Sequence, residues 1–299
     1  MKALTLVLLS ALVLQSCGDA TSSSESHSTE AKTIVAQVDD LTQQLQKSIG
    51  DLTTVVTLDH HRMAQEEGVY TPPSIATLFS DPKINTDLVQ ANQLAGLDLP
   101  FKVLCYAEAD TLSARVAYTS AEFIQQRHDF STDALKDYKS GMDQAISSFQ
   151  PDQISGTDLS KVVSGYGIVK IKSDFDYETT VQNLRDIVMS QGDTKWFADV
   201  DFRKEAAAYN VDLRPTILLL FGGPAPGGKA MMTSPKIGLD AFCQKLLVYQ
   251  NDNGEVWVAY NDIVAFAELY YGTSTKPQQM INQRLKMTFT KAVTTGDGK

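Results

Sequence analysis

The hydrophobic pattern of this chain predicts one succession of short elements twice. In the second half it predicts five strands and four helices. These elements are strands at 166–172, 194–200, 216–221, 244–250 and 255–260, a helix with the apolar stripe Val181, Leu184, Ile187 and Val188, and further helices at 201–210, at 229–234 and from Asn261 or Asp262. The run 216–221 is almost continuously apolar, which is typical of a central strand buried on both faces. Asp252-Asn253-Gly254 predicts a hairpin turn.

The first half predicts the same order from a less regular pattern. Its elements are strands at 33–37, 52–58, 74–79, 101–107 and 114–118, with a first helix carrying the stripe Val38, Leu41, Leu45 and Ile49. An amphipathic helix at 132–149 and a linker at 150–156 are predicted between the halves, and a terminal helix at 280–285.

The two halves also share identical residues. Segment 59–98 aligns with 201–240 without a gap, and 11 of the 40 pairs are identical. A repeat of about 140 residues is too long for a solenoid unit, and each copy is large enough for its own core. We therefore predict a tandem duplication, with copies at 33–130 and 162–272, a helix and linker at 131–161, and a C-terminal tail at 273–299.

The N-terminal residues predict export and a lipid anchor. Leu4–Leu14 is an apolar run behind Lys2, long enough for a signal peptide and too short to cross a bilayer. It leads to Leu14-Gln15-Ser16-Cys17, which resembles the box at which bacterial lipoproteins are cleaved and acylated. We predict a signal peptide at 1–16, a lipidated Cys17 and a disordered tether at 17–32; an ordinary signal peptide is the alternative. Gly18 after the cysteine favours, by that resemblance, the outer membrane facing the periplasm.

The net charge argues against one class of partner, and the positions of the cysteines bear on their redox state. The formal net charge is −10, and phosphate contacts supply much of the affinity for nucleic acids, so we expect no nucleic-acid partner. Cys105 and Cys243 fall at different positions of the repeat. We predict buried free thiols, with a disulfide in an oxidising periplasm as the alternative.

The order and spacing of certain Asp, His, Pro and Gly residues in both copies resemble the pattern of the family called domain of unknown function 302. The first copy has Asp59-His60, Pro73 and Pro82, followed by the segment 97–104, Leu-Asp-Leu-Pro-Phe-Lys-Val-Leu. The second copy has Pro215, Phe221-Gly222-Gly223-Pro224, Leu239-Asp240 and Tyr260-Asn261-Asp262. The resemblance implies a compact α+β domain that pairs with a second copy. The predicted fold class is thus α+β, with two similar β-α-β-α-β-β-α domains packed as an intramolecular pseudo-dimer. The resemblance implies no particular reaction.

The densest group of ionisable side chains is Asp59, His60 and His61. An Asp beside an imidazole fixes its tautomer and raises its basicity, as a metal ligand or a general base requires. These three residues are the candidate ligand-binding site, with His60 the candidate metal ligand. The alternative is that Asp59 caps a short helix, as Asp201 would in the second copy, where Phe202 replaces His60.

Other motifs favour structural roles. The glycine-rich run 222–229 ends in Lys229 but lacks the spacing of a phosphate loop, so it is interpreted as a flexible pocket rim. Asp98 and Asp240 recur after Gly-Leu and are interpreted as turn or cap residues.

The predicted function is that of an envelope lipoprotein that binds a small ligand or a protein partner between its two domains. One alternative is a metal- or haem-binding protein that uses His60 or His61. The other is an enzyme with acid–base chemistry at Asp59 and His60, together with Asp98.

Overall fold

The structure, a computed structural model, describes residues 22–111 and 113–296 and contains two copies of one α+β unit. The first copy consists of α1 Ser22–Ser48, β1 Thr53–Asp59, α2 His60–Glu66, β2 Ser74–Ser80, α3 Pro82–Ala91, β3 Phe101–Ala107, β4 Ala114–Tyr118, α4 Ala121–His128 and α5 Lys136–Ile146. The second consists of β5 Ile168–Lys172, α6 Tyr177–Met189, β6 Lys195–Asp201, α7 Phe202–Ala207, β7 Thr216–Gly222, α8 Pro224–Met231, β8 Gln244–Gln250, β9 Val256–Asn261, α9 Ile263–Tyr271 and α10 Lys276–Val293.

Each copy is built on an antiparallel sheet. The strand order is β1-β2-β3-β4 in the first copy and β5-β9-β8-β7-β6 in the second. The central strands β2 and β7 are buried along their whole length, as the apolar run predicts. The predicted hairpin connects β8 to β9, and Gly254 in its turn has a φ of +77°, a conformation that glycine adopts without steric cost.

Details of the backbone confirm the duplication. The pairing of β1 with β2 is interrupted by a bulge between Thr54 and Val56, and that of β6 with β7 by one between Trp196 and Ala198. The offset of 142 residues is the same as in the sequence alignment. The two copies therefore carry equivalent strands in the same register.

The copies pack through reciprocal contacts. A 3₁₀ turn at Gln93–Leu97 lies on the second sheet, and the equivalent turn at Pro235–Leu239 lies on the first. Helix α2 packs on α8 in the same way as α7 packs on α3. This is the predicted intramolecular pseudo-dimer, in which one face of each sheet is covered by the other copy.

A pair of helices covers the opposite face of each sheet, α1 with α5 and α6 with α10. The prediction placed α5 between the copies and α10 in a C-terminal tail. The structure places each helix inside a copy, because its apolar side chains, including Met142 on α5 and Phe289 on α10, pack into that copy's core. Periodicity predicted the helices but could not identify the sheets that they cover.

The N-terminal part of the fold differs from the prediction. A strand was predicted at 33–37 and a disordered tether up to residue 32, but α1 begins at Ser22. Ile34 is buried and continues the stripe of Val38, Leu41 and Leu45 at helical spacing. Once that helix is nucleated, each further residue adds a hydrogen bond, so the polar residues before it extend the helix.

The predicted leader and Cys17 lie outside the described residues. Within the described part of the chain, no helix combines the length and apolar character that a membrane span requires. Cys105 and Cys243 are both buried and free, as predicted.

Candidate functional site

Asp59, the first residue of the predicted cluster, is a helix cap. Its carboxylate accepts a hydrogen bond from the backbone N–H of Arg62 at 2.8 Å and forms an ion pair with the Arg62 side chain. Asp201 caps α7 in the same way, through the backbone N–H of Lys204 at 3.0 Å. Asp59 therefore satisfies the first turn of α2, as the structural alternative expects.

His60 is enclosed between the copies. Its side chain packs against Gly238 of the second copy, where Phe202 packs against Gly96 in the equivalent contact. His60 is 8% exposed, and its Nε2 atom has no hydrogen-bond partner among the described residues. Burial, with a smaller contribution from Lys245, lowers the pKa of His60 to about 3. The imidazole is thus neutral at physiological pH.

The space beside His60 is a small cavity of about 20 Å³. Met63 from the same helix and Cys243 from the second copy also line it. Burial raises the pKa of the Cys243 thiol. A cavity of this size holds one ion or water molecule and not a porphyrin, so the haem alternative does not fit His60.

His61 is directed to other partners. Its Nδ1 atom lies 2.6 Å from the carbonyl oxygen of Thr71, and its ring meets Tyr70 edge-on at 6.1 Å. The two adjacent imidazoles therefore have separate environments, as expected for neighbouring positions on a helix.

Asp98 lies in a buried network of charges, which sequence reasoning missed. Its carboxylate accepts two hydrogen bonds from Arg127, at 2.8 and 3.0 Å, and lies 2.6 Å from Nε2 of His128 and 3.3 Å from Nζ of Lys102. Burial alone would raise the pKa of Asp98, but Arg127, Lys102 and His128 outweigh it and hold this pKa well below 3.8. Asp98 ends the 3₁₀ turn at Gln93–Leu97, as its interpretation as a turn or cap residue expects, and the fold in addition surrounds its carboxylate with cationic side chains.

Asp240 is the equivalent residue of the second copy and joins the same network. Lys102 donates to it at 2.6 Å across the junction between the copies, and the Tyr270 hydroxyl also donates to it. Tyr270 lies 142 residues after His128, so each Asp binds the ring residue of its own copy. Lys245, enclosed beside this network, has a pKa lowered to about 8 by burial. The network links the two copies. The alignment of the repeats showed that Asp98 and Asp240 recur but gave no reason for it.

The glycine-rich run is not a loop. Pro224 begins α8, and Gly228 lets this helix approach α2, since a Cβ at Gly228 would lie 2.6 Å from that of Ala64. The run is therefore helical and forms an interface between the copies, where a loop was predicted; it does line two cavities, as expected for a pocket rim.

The first copy contains an open cavity of about 440 Å³ among α1, α3 and α5. Apolar side chains, among them Leu52, Ile84 and Phe101, lie beside several carboxylates. Its full lining is Ser48, Ile49, Asp51, Leu52, Asp81, Lys83, Ile84, Phe101, Asp137, Ser140, Gly141, Gln144 and Ala145. A volume of this size suits a small organic molecule.

The second copy has a cavity at the equivalent place, but it measures only about 30 Å³. Its lining includes Gln191, Thr194, Gly223, Pro226 and Gln244, which are the counterparts of Ile49, Leu52, Asp81, Ile84 and Phe101. Five positions of α5 and five of α10 line the two cavities with identical spacing: 137, 140, 141, 144 and 145, and 281, 284, 285, 288 and 289.

Protein side chains fill the second cavity. Leu285 and Phe289 take the places that Gly141 and Ala145 have in the first copy. Arg284 closes the mouth, because its guanidinium donates to both oxygens of Asp193 at 2.6 Å and to the Gln191 side chain.

The first cavity has no such closure. Ser140 stands where Arg284 stands in the second copy, and Asp51, the counterpart of Asp193, has no side-chain partner among the described residues. One signal in the sequence could have pointed to this site. Three of four residues are identical between 48–51, Ser-Ile-Gly-Asp, and 190–193, Ser-Gln-Gly-Asp, which lie upstream of the aligned segments. The helices α5 and α10 carry no comparable match.

Comparisons with known proteins identify the repeated unit. The family model described as Domain of unknown function DUF302 matches residues 26–149 and 169–290. A solved structure titled as an uncharacterized conserved DUF302 protein from Bacillus stearothermophilus is 12% identical, with a TM-score of 0.35, and the match covers 42% of this chain and 95% of that one.

Curated relatives match over a shorter region. A Fluoride-specific ion channel FluC 1 of Brucella suis is 30% identical over 96 residues, which are 32% of this chain and 37% of that protein. FluC 2 of Brucella melitensis gives the same identity over 35% of its length. The matched region spans about a third of these relatives, whereas the two family matches span most of this chain. The chain therefore belongs to the family described as Domain of unknown function DUF302, of which it carries two copies.

Proposed function

We propose that this protein is a non-catalytic binding protein whose first copy holds a small molecule in the cavity of about 440 Å³. The observation that carries the proposal is the contrast between the copies. One scaffold encloses two equivalent spaces, of which one is filled by Leu285, Phe289 and Arg284 and the other is open. An open space lined by apolar groups and a few polar ones is a favourable setting for a ligand.

The proposal moves the ligand from the groove between the copies to a single copy. The junction between the copies is occupied by the buried charges around Asp98 and Asp240, and a cavity of about 270 Å³ remains at its rim beside Arg127 and His128. The donors of Arg127 already bind Asp98, Asn261 and the carbonyl of Tyr166. The rim therefore offers a ligand fewer free groups than the cavity of the first copy.

The proposal includes attachment to the cell envelope. The sequence around Cys17 supports acylation of this residue and an outer-membrane location facing the periplasm. The Cys17→Ala variant should leave the membrane fraction or remain an uncleaved precursor. A wild-type protein recovered wholly in the soluble fraction would contradict the anchor, and it would leave the ligand site untouched.

The ligand site is tested with a library of small organic fragments, measured by ligand-observed NMR. Ser140→Arg places at the first cavity the residue type that closes the mouth of the second cavity. Fragments that bind the first cavity of the wild type should therefore not bind this variant. Gln283→Arg adds the same charge at an exposed position of α10 and should retain them. If wild type and Ser140→Arg bind the same fragments, the proposal fails.

Because one substitution could leave part of the cavity open, a second variant completes the test. Ser140→Arg with Ala145→Phe copies both the mouth and the interior of the second cavity. A cooperative thermal transition shows that the variant folds, and continued fragment binding by the folded double variant would also contradict the proposal.

A second candidate function is the binding of a soft metal ion such as Cu(I) at His60. The specific observation is the unpartnered, buried Nε2 atom beside a cavity that Met63 and Cys243 also line. Imidazole, thioether and thiolate are ligands that Cu(I) accepts. No three His, Cys, Asp or Glu side chains converge on a metal position in the described part of the chain, so Met63 would have to be the third ligand.

A competition titration of Cu(I) against a chelator tests this candidate. His60→Phe should abolish binding and keep the fold, because Phe202 occupies the same position in the second copy. Met63→Leu should weaken binding at nearly constant volume. Equal Cu(I) affinities for wild type and His60→Phe would exclude His60 as a ligand. The enzyme alternative has less support, since Asp59 is engaged by Arg62 and His60 is enclosed.

A further inference from the structure

We infer that the first cavity takes an organic cation, an amine, amidine or guanidine joined to an apolar body. This inference rests on the proposed function and specifies its ligand. The second copy serves as the template, because there the equivalent space contains a guanidinium on a carboxylate with apolar side chains beneath it.

The cationic part of the ligand follows from Asp51 and Asp193. Both aspartates follow a glycine in the loop before an equivalent strand, and the matching bulges of β1 and β6 fix their correspondence. Asp193 pairs with Arg284 through two parallel hydrogen bonds, and this guanidinium holds the pKa of Asp193 below its usual value. Two-point pairing of this kind is geometrically specific. Asp51 presents the same group, and no cationic side chain in the described part of the chain pairs with it.

The surrounding charges favour the same sign of ligand. Asp81 and Asp137 also line the first cavity, and its one lysine, Lys83, forms an ion pair with Asp87. The walls therefore carry an excess of negative charge. A carboxylate ligand would meet repulsion there, whereas a cation would be attracted.

The apolar part of the ligand follows from the floor of the cavity. Phe101 lies between Phe79 and Tyr138, with ring centroids 5.3 and 4.7 Å away, so its ring is held in place. The Phe101 ring packs directly against Gly141, since a Cβ at this position would lie 2.9 Å from it. Above this fixed ring the partly exposed side chains of Leu52 and Ile84 line the cavity, and they offer an apolar surface to an aromatic or aliphatic group.

Three probes of nearly equal shape and different charge test the inference: benzamidine, benzamide and benzoate. Benzamidine should bind the wild type about tenfold more tightly than the other two, as a charge-assisted pair with two hydrogen bonds predicts. Its affinity should fall as ionic strength rises, because Asp51 is exposed.

Variants locate the preference. Asp51→Asn should remove most of the difference between benzamidine and benzamide, whereas Asp212→Asn, an exposed aspartate of the second copy, should keep it. Ser140→Arg should abolish benzamidine binding, since the new guanidinium competes for Asp51.

The outcomes separate this inference from the proposed function. If benzamide or benzoate binds as tightly as benzamidine and Ser140→Arg blocks it, the cavity is a ligand site and the cationic class is wrong. Unchanged benzamidine binding in Asp51→Asn would likewise overturn the inference alone. If all three probes bind Ser140→Arg and the wild type equally, both the inference and the proposed function fail.

Discussion

The two copies fill the equivalent space beside their sheets to very different extents. In the second copy a helix supplies Leu285, Phe289 and Arg284 to the space beside its sheet, and about 30 Å³ remains. In the first copy the equivalent helix supplies Ala145, Gly141 and Ser140, and about 440 Å³ remains. Four strands, the bulges and the caps of α2 and α7 are equivalent in the two copies, so the scaffold tolerates either arrangement. The difference lies in a few side chains on one helix.

The junction between the copies shows a second contrast. His60 and Phe202 occupy equivalent positions, as do His128 and Tyr270. In both pairs the ring and its contact are kept, and the polar groups differ. The first copy thus supplies both imidazoles of the junction. Asp98 binds three cationic or imidazole side chains, whereas Asp240 in the second copy binds one lysine and a tyrosine.

The largest effect is expected from removing the charge of Asp98. Asp98→Asn leaves Arg127 buried without its counter-charge and Lys102 with Asp240 alone, which should cost about 3–5 kcal/mol of unfolding free energy in urea titrations. Asp240→Asn should cost less. Because the folded-state pKa of Asp98 is lowered, its contribution is present above pH 3.8 and is lost as the pH falls towards the folded value. Equal costs for the two variants would contradict the asymmetry between the copies.

The next effect concerns the filled cavity. Phe289→Ala removes a ring that is 1% exposed and should destabilise the protein by about 3–5 kcal/mol. Phe289→Leu, which removes less volume, should cost less. A crystal structure of Phe289→Ala should show the second cavity enlarged towards the first. A loss below about 1 kcal/mol would mean that Phe289 does not support its copy.

His60 should make stability depend on pH in a defined direction. Its pKa is about 3 in the folded state against 6.5 in the unfolded chain, so only the unfolded state binds a proton between these values. Stability is therefore lost as the pH falls below 6.5, by about 2 kcal/mol between pH 7 and pH 5. His60→Phe should remove this part of the pH dependence and change stability at pH 7 by less than about 1 kcal/mol. Parallel pH profiles for the two proteins would contradict the prediction.

The smallest effect is expected at the mouth of the second cavity. Arg284→Ser breaks an ion pair whose side chains are both 41% exposed, and solvent screening should limit the cost to under about 1 kcal/mol. The sharper readout is binding. Arg284→Ser should not create a benzamidine site as strong as that of the first copy, because Leu285 and Phe289 still fill the interior. Thermal melting in low and high salt, together with the probe titration, checks both parts.

Much of the secondary structure could be predicted from local patterns. The central strands, the hairpin at Gly254 and the stripe of α6 follow from periodicities within single segments. The strand at 33–37 was mispredicted because Ile34 belongs to a helical stripe that extends into polar sequence. The Asp59 cap was weighed correctly as an alternative, since capping is a local interaction, whereas the fate of His60 depended on Gly238 in the other copy.

Sequence patterns alone show that one unit is present twice, and they give the order of its elements and the residues that end them. The duplication is visible when two segments of 40 residues are aligned, and each element follows from the pattern of its own segment. Which groups meet is known only from the folded chain: Lys102 joins Asp98 to Asp240, and α5 lies beside the loop that carries Asp51. A cavity is the volume that several distant segments leave unfilled, and its size depends on all the residues around it, such as Gly141 in the first copy and Leu285 in the second. No periodicity along the chain measures that volume, so the contrast between the copies is visible only after folding.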